Sequence, residues 1–232
     1  MNDATSIALS GLQEEMRTCL LCVEAGYTIT PGAIFSHPPA AKVLLIGQAP
    51  GITEVEARRP FNAGSGKRLF RWLEKARWHE VEFRNHYAMT AVTKCYPGKD
   101  KNGKGDRLPS KLEQRFCRPF LEREIALFRP RLIILVGGLA IRLFYPSTRK
   151  LSAIIGTACY FPPTALTDPV NFNLSQAKLV TEFDETKRMD GRWVVPLPHP
   201  SGASLWPNKP ENQALIDRAI VLLSQIRQAW SL

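Results

Sequence analysis

The sequence predicts an α/β domain: a three-layer sandwich with a central four-stranded, mainly parallel sheet flanked by helices. Three observations carry that expectation. Four short apolar runs of strand length occur at residues 42–47, 87–93, 131–136 and 193–197, helical segments alternate with them, and the strand-length runs are apolar on both faces, as in covered parallel sheets. The chain has 232 residues, 44% hydrophobic and 22% charged, a size and composition suited to one globular domain with a real core.

Residues 6–17 show helical spacing in Leu9, Leu12 and Met16 and end at a Cys19/Cys22 pair. The first strand, 42–47, runs into a turn containing Ala49, Pro50 and Gly51, and a helix follows over 65–76 with Leu69, Phe70, Trp72 and Leu73 on its apolar side. After the second strand, a loop rich in glycine and lysine spans 98–109, then a helix over 110–128 opens on Ser110 with Glu113 three residues on, a capping-box pattern. The third strand ends at Gly137-Gly138 and leads into a helix over 139–144. Residues 160–191, proline-rich at first and mixed in charge later, read as an insertion into the single domain, either a hairpin or a loop. The fourth strand and a terminal helix over 210–230 complete the chain. Sites in such sheets form beyond the carboxyl ends of the strands.

Lysine and arginine number 31 against 21 acidic residues, a formal charge of +10 that favours an anionic partner such as nucleic acid. No run reaches the roughly 18 apolar residues of a membrane helix, and the acidic start lacks a secretory pattern, so a cytoplasmic protein without membrane association is expected. Reduced cysteines in that compartment favour metal or cluster ligation over disulfides. Cys19 and Cys22 form a C-x2-C pair, while Cys95 and Cys117 stand apart; four thiolates suit zinc or an iron–sulfur cluster equally, and spacing alone also allows the latter two to be core thiols. Cys159 reads as a core thiol.

Two elements carry chemistry. Gly47-Gln48-Ala49-Pro50-Gly51 is a turn whose glycines let backbone approach a ligand and whose amides can face an anion. His199-Pro200-Ser201-Gly202-Ala203-Ser204 follows the fourth strand, with His199 held between Pro198 and Pro200. A lone histidine in such a turn can equally make only a local hydrogen bond.

In order along the chain, Cys19 and Cys22, Gly47 to Gly51, Pro60-Phe61, Lys94-Cys95, Cys117 and His199 to Ser201 resemble the motifs of the iron–sulfur, or family four, uracil-DNA glycosylases. The resemblance covers about 200 residues, from Cys19 to the terminal helix. It implies a monofunctional enzyme that flips uracil from DNA and hydrolyses its bond to the sugar, with a structural [4Fe–4S] cluster on the four cysteines and no nucleotide cofactor. It gives Phe61 the stacking role, with a core aromatic as the alternative, and places Gly47, Pro50, Gly51, Asn62 and Ser201 around the base. His199 and the Gln48 and Ala49 amides would stabilise the departing anion. Leu205, with Trp206, is placed like a wedge filling the gap left by a flipped base, or else packs.

The turn lacks a carboxylate, since Ala49 stands where other families carry aspartate; Glu54 and Glu56 are the nearby candidates for a base and read as solvated side chains. Two departures matter. Ala91 stands where the family has an asparagine that reads uracil, so Gln48, Asn62 or Asn85 must substitute, or specificity moves to another deaminated base such as hypoxanthine or xanthine. Gln48 replaces the usual glutamate. The 98–109 loop is long for the family, and its Lys99, Lys101, Lys104 and Arg107 suit phosphate contacts. The competing expectations are a non-catalytic DNA-binding module of the same fold and a basic zinc protein acting on RNA or nucleotides. A monomer is expected.

Overall fold

The structure, a computed structural model, describes residues 3–103, 105–184, 186, 190–202 and 204–232. In chain order the elements are α1 (Asp3–Thr18), α2 (Leu21–Glu24), β1 (Val43–Gly47), α3 (Ile52–Ala57), α4 (Gly64–Lys75), α5 (Glu80–His86), β2 (Ala88–Ala91), α6 (Lys111–Phe128), β3 (Leu132–Val136), α7 (Gly138–Ile141), β4 (Ala158–Phe161), β5 (Lys178–Val180), β6 (Arg192–Leu197) and α8 (Pro210–Trp230). They form an α/β fold around one sheet of order β2-β1-β3-β6-β4-β5.

The four anticipated strands are β1, β2, β3 and β6, and they pair in parallel. All residues of β1, β3 and β6 are buried, which explains why they read as unbroken apolar runs rather than alternating ones. The sheet has six strands, not four. β4 pairs antiparallel with both β6 and β5, so part of the 160–191 region is an antiparallel edge rather than a loop. These strands are short, and the mostly exposed Lys178–Val180 carries no apolar run to betray it. Cys159 lies buried in β4, its Sγ 3.0 Å from the Tyr145 hydroxyl, as a core thiol should.

The capping box is formed as expected: Glu113 N donates to Ser110 Oγ (3.2 Å), and Ser110 N to Glu113 Oε2 (2.7 Å). Leu9, Leu12 and Met16 are the buried residues of α1, which packs on α6, while α8 packs on β6 and α4. The helix after β3 is shorter than the expected 139–144, and α2, α3 and α5 carry too few residues for a periodic signal.

This topology positions the site. β1, β3 and β6 are consecutive neighbours running the same way, so Gly47, Gly137 and His199 emerge side by side at their carboxyl ends.

Candidate active site and cysteine cavity

The turn after β1 is held by Val92 N donating to Gly47 O (3.0 Å) and Thr93 N donating to Gln48 O (3.2 Å). It borders a cleft of about 570 Å³, whose lining includes Gly47, Gln48, Ala49, Pro50 and Gly51 together with Phe61, His199 and Ser201. Eight of the ten expected catalytic and base-binding residues therefore share one concavity. Gly137 is where two of them meet. It has φ of +90°, and a Cβ there would stand 2.8 Å from His199 Cδ2 and 2.9 Å from Gln48 Cδ.

His199 is pushed below its ordinary pKa of 6.5 by burial, and Ser201 N donates to its Nδ1 at 3.3 Å. With Nδ1 accepting, the neutral ring carries its proton on Nε2 and is a donor there. The Gln48 carboxamide is half spent: Leu139 N, in the first turn of α7, donates to its Oε1 at 3.0 Å. The amide nitrogen is the donor that this side chain offers a ligand, beside the second lone pair of Oε1.

Phe61 is both core and cleft. It is buried, yet its ring lines the cavity, and its φ of +51° is one that phenylalanine seldom adopts. Three contacts impose that conformation. Phe61 N donates to Glu54 Oε1, and Arg84 donates to the Pro60 and Phe61 carbonyls, both at 2.9 Å. Gly66 leaves room beneath: a Cβ on it would lie 1.9 Å from Phe61 O.

Glu54 corrects an expectation. Its carboxyl is not free in solvent but half-buried, accepting from both Gly51 N and Phe61 N, and burial raises its pKa above the ordinary value. Glu56 is exposed, as expected. Asn62 and Leu205 lie outside the cleft lining. The Asn62 amide is engaged by Arg59 (2.9 and 3.1 Å) and Thr53 O (3.4 Å), while Leu205 is 74% exposed. Asn85 is exposed on α5. Ala91, at the end of β2, does line the cleft and offers it no side-chain hydrogen bond. Of the basic loop, Lys99 and Arg107 reach the lining but are paired with Asp106 (3.0 Å) and Glu113 (2.7 Å); Lys101 is exposed, and Lys104, like Ala203, lies outside the described residues.

Cys19, Cys22, Cys95 and Cys117 line a second cavity, formed where the segment from α1 into α2 meets α6 and the residues after β2. Burial, with the neighbouring thiols, pushes Cys22 up to about 11 and Cys95 up to about 12. Among the described residues no three His, Cys, Asp or Glu side chains are gathered as ligands of a single metal ion.

A buried network centred on Lys94, of which the sequence motifs included only Lys94 itself, lies between the two cavities. Lys94 Nζ donates to Glu124 Oε2 (2.6 Å), Ala91 O (2.7 Å) and Thr90 Oγ1 (2.7 Å), while His37 Nε2 and Thr90 Oγ1 each lie 2.8 Å from Glu124 Oε1. Burial would raise Glu124, but the charge of Lys94 and the His37 contact outweigh it and hold the carboxyl near a pKa of about 2. Lys94 was marked in sequence by the Lys94-Cys95 motif, whereas His37, Thr90 and Glu124 carried no signal.

Comparison with known proteins places the chain in a family. The family model described as the uracil DNA glycosylase superfamily matches residues 35–223. The chain is 27% identical over 132 residues to the type-4 uracil-DNA glycosylase of Sulfurisphaera tokodaii, covering 56% of this chain and 54% of that protein. It is 34% identical over 95 residues to the type-4 enzyme of Pyrobaculum aerophilum (41% and 43%), and 30% identical over 128 residues to that of Saccharolobus solfataricus (54% of each). The chain thus spans about half the length of these curated relatives. With the match covering most of the chain and embracing both the Gly47 turn and His199, the protein belongs to the uracil DNA glycosylase superfamily.

Proposed function

We propose that this protein is a DNA glycosylase that draws uracil out of DNA and hydrolyses its N-glycosidic bond, leaving an abasic site. The observation that carries the reading is the meeting of Gln48 and His199 over Gly137 in the cleft whose wall is Phe61. A flipped base needs a flat apolar surface, which the Phe61 ring supplies. The departing uracil carries negative charge, and His199 Nε2–H, the Gln48 and Ala49 backbone amides and the Gln48 side-chain nitrogen are donors able to meet it. Losing one such donor typically costs about 3 kcal/mol of transition-state stabilisation. Because Ala91 reads nothing, discrimination falls to these donors and to Ser201, so other deaminated bases are the first alternative substrates. Gly47, Pro50 and Gly51 shape the turn. Leu205, exposed beyond the His199 turn, is free to enter a duplex as a wedge.

The four cysteines fit a [4Fe–4S] cluster. All four thiols line one cavity, which supports a cluster held by one thiolate on each of its four irons. The cluster's role would be structural, tying the start of the chain and α6 to the end of β2. The working partner is uracil-containing DNA, which the +10 charge attracts, and the protein acts as a cytoplasmic monomer without a nucleotide cofactor.

The test is base release from a labelled oligonucleotide carrying one uracil, with abasic sites revealed by alkali. Wild type is expected to cut and His199→Ala to lose at least a hundredfold in rate. A wild type inactive on uracil, hypoxanthine and xanthine alike would leave only a DNA-binding module.

A further inference from the structure

Hydrolysis of the glycosidic bond needs a group to receive the proton of the attacking water, and the Gly47–Gly51 turn carries no carboxylate. Among the described residues, the cleft lining includes two carboxylates, Glu54 and Asp106. Glu54 is committed: its two oxygens accept from Gly51 N and Phe61 N, which makes it a fastening for the turn and for Phe61. Asp106 differs. It comes from the glycine- and lysine-rich loop, where its Oδ1 accepts from the Tyr96 hydroxyl (3.0 Å) and from Lys99 Nζ (3.0 Å). Its Oδ2 turns toward the Gly47–Gly51 turn, 3.2 Å from where a Cβ on Gly51 would stand. The loop is braced at both ends of this contact, with Lys99 and Asp106 bridged antiparallel and Arg107 N donating to Gly98 O at 3.0 Å.

We infer that Asp106 is the general base of the reaction, supplied by the loop in place of the carboxylate missing from the turn. The inference rests on the glycosylase reading above. The C1′–N1 bond breaks with its electron pair leaving on the base. Water oxygen then bonds to C1′, and Asp106 Oδ2 takes the proton that water releases. That proton passes to the uracil anion or to solvent, and the products are free base and an abasic sugar. Tyr96 and Lys99 occupy Oδ1 and so leave Oδ2 to the water. A side chain at Gly51 would press on that oxygen and shift it by a few tenths of an ångström. The charged groups facing Asp106 are Lys99 and, across Gly51, Glu54, with Arg107 next in the chain.

The test is single-turnover release of uracil by the full chain, with affinity measured in parallel for a duplex containing a non-hydrolysable 2′-fluoro uracil nucleotide. Asp106→Asn is expected to slow release at least a hundredfold while changing affinity less than threefold, and formate is expected to restore part of the rate to Asp106→Ala. A variant keeping a third or more of the wild-type rate, or one that loses rate and affinity together without formate rescue, overturns the inference while leaving the glycosylase reading intact. A wild type that binds the duplex but releases no base overturns both.

Discussion

The Phe61 ring comes within 3.0 Å of the point where a Cβ on Gly47 would stand, so the last residue of β1 and the wall of the cleft are separated by a hydrogen atom's width. The ring cannot retreat easily, because Glu54 and Arg84 hold its backbone from both sides. Gly47→Ala is therefore expected to tilt Phe61 into the cleft. Overpacking of this kind costs about 1–3 kcal/mol, or several degrees in Tm for a chain of this size. Base release should fall tenfold or more; a variant with wild-type single-turnover kinetics would show that the ring's position is immaterial.

Arg84 donates to both the Pro60 and the Phe61 carbonyl, for which no second donor stands among the described residues. Arg84→Met keeps most of the side-chain volume over Phe70, whose ring the guanidinium covers at 4.4 Å, but leaves Pro60 O and Phe61 O unmet. Hydrogen bonds to charged groups contribute about 1.5–3 kcal/mol each, with partial exposure lowering the sum. Urea unfolding should show a loss of at least 2 kcal/mol. An unchanged midpoint would contradict the clamp.

His199 provides a test by titration. Its folded pKa lies below 6.5, so as pH falls the unfolded chain takes up the proton first. The contribution of neutral His199 to stability is thus complete above about 6.5 and is lost as pH falls from there through the lowered folded value. Protonation of Nδ1 also ends its acceptance from Ser201 N. Proton NMR of the imidazole should give a midpoint below 6.5; a midpoint at or above it would refute the neutral donor.

Glu124 has the same sign with a wider window. Its pKa is about 2 in the folded protein against 4.5 for a free side chain, so its contribution is present above about 4.5 and disappears as pH falls through 2. Glu124→Gln leaves Lys94 buried without a counter-charge and is expected to cost about 3–5 kcal/mol at neutral pH. It should also flatten the dependence of Tm on pH below 4.5, and a variant as acid-sensitive as wild type would place that sensitivity elsewhere.

The cysteine cavity predicts its own assay. Protein purified without oxygen should carry about four irons and four sulfides per chain, and Cys95→Ser should lose them together with several degrees of Tm. Stoichiometric zinc in place of iron would refute the cluster.

The buried strands and the capped helix were legible because a covered parallel sheet and a capping box each demand particular residues in sequence. The cleft was legible through its glycine turn and histidine, which lie at strand ends wherever the strands are correctly placed. What was not legible depends on contacts between distant segments. Glu54 looks like any helix carboxylate until the Phe61 turn folds over it. Asn62 looks available until Arg59 claims its amide. Asp106 sits in a loop whose charges suggest solvent, and only the approach of that loop to Gly51 makes it part of the cleft. β5 has no apolar pattern because its neighbour, not its own core face, defines it.

The ammonium of Lys94 holds the carbonyl of Ala91, not its side chain. The backbone at this point of the cleft is thus secured from beneath by a residue that is indifferent to what position 91 displays. Exchange of the side chain at position 91 leaves this hydrogen bond of the scaffold intact, so what the cleft displays there can drift across generations without passing through an unfolded ancestor.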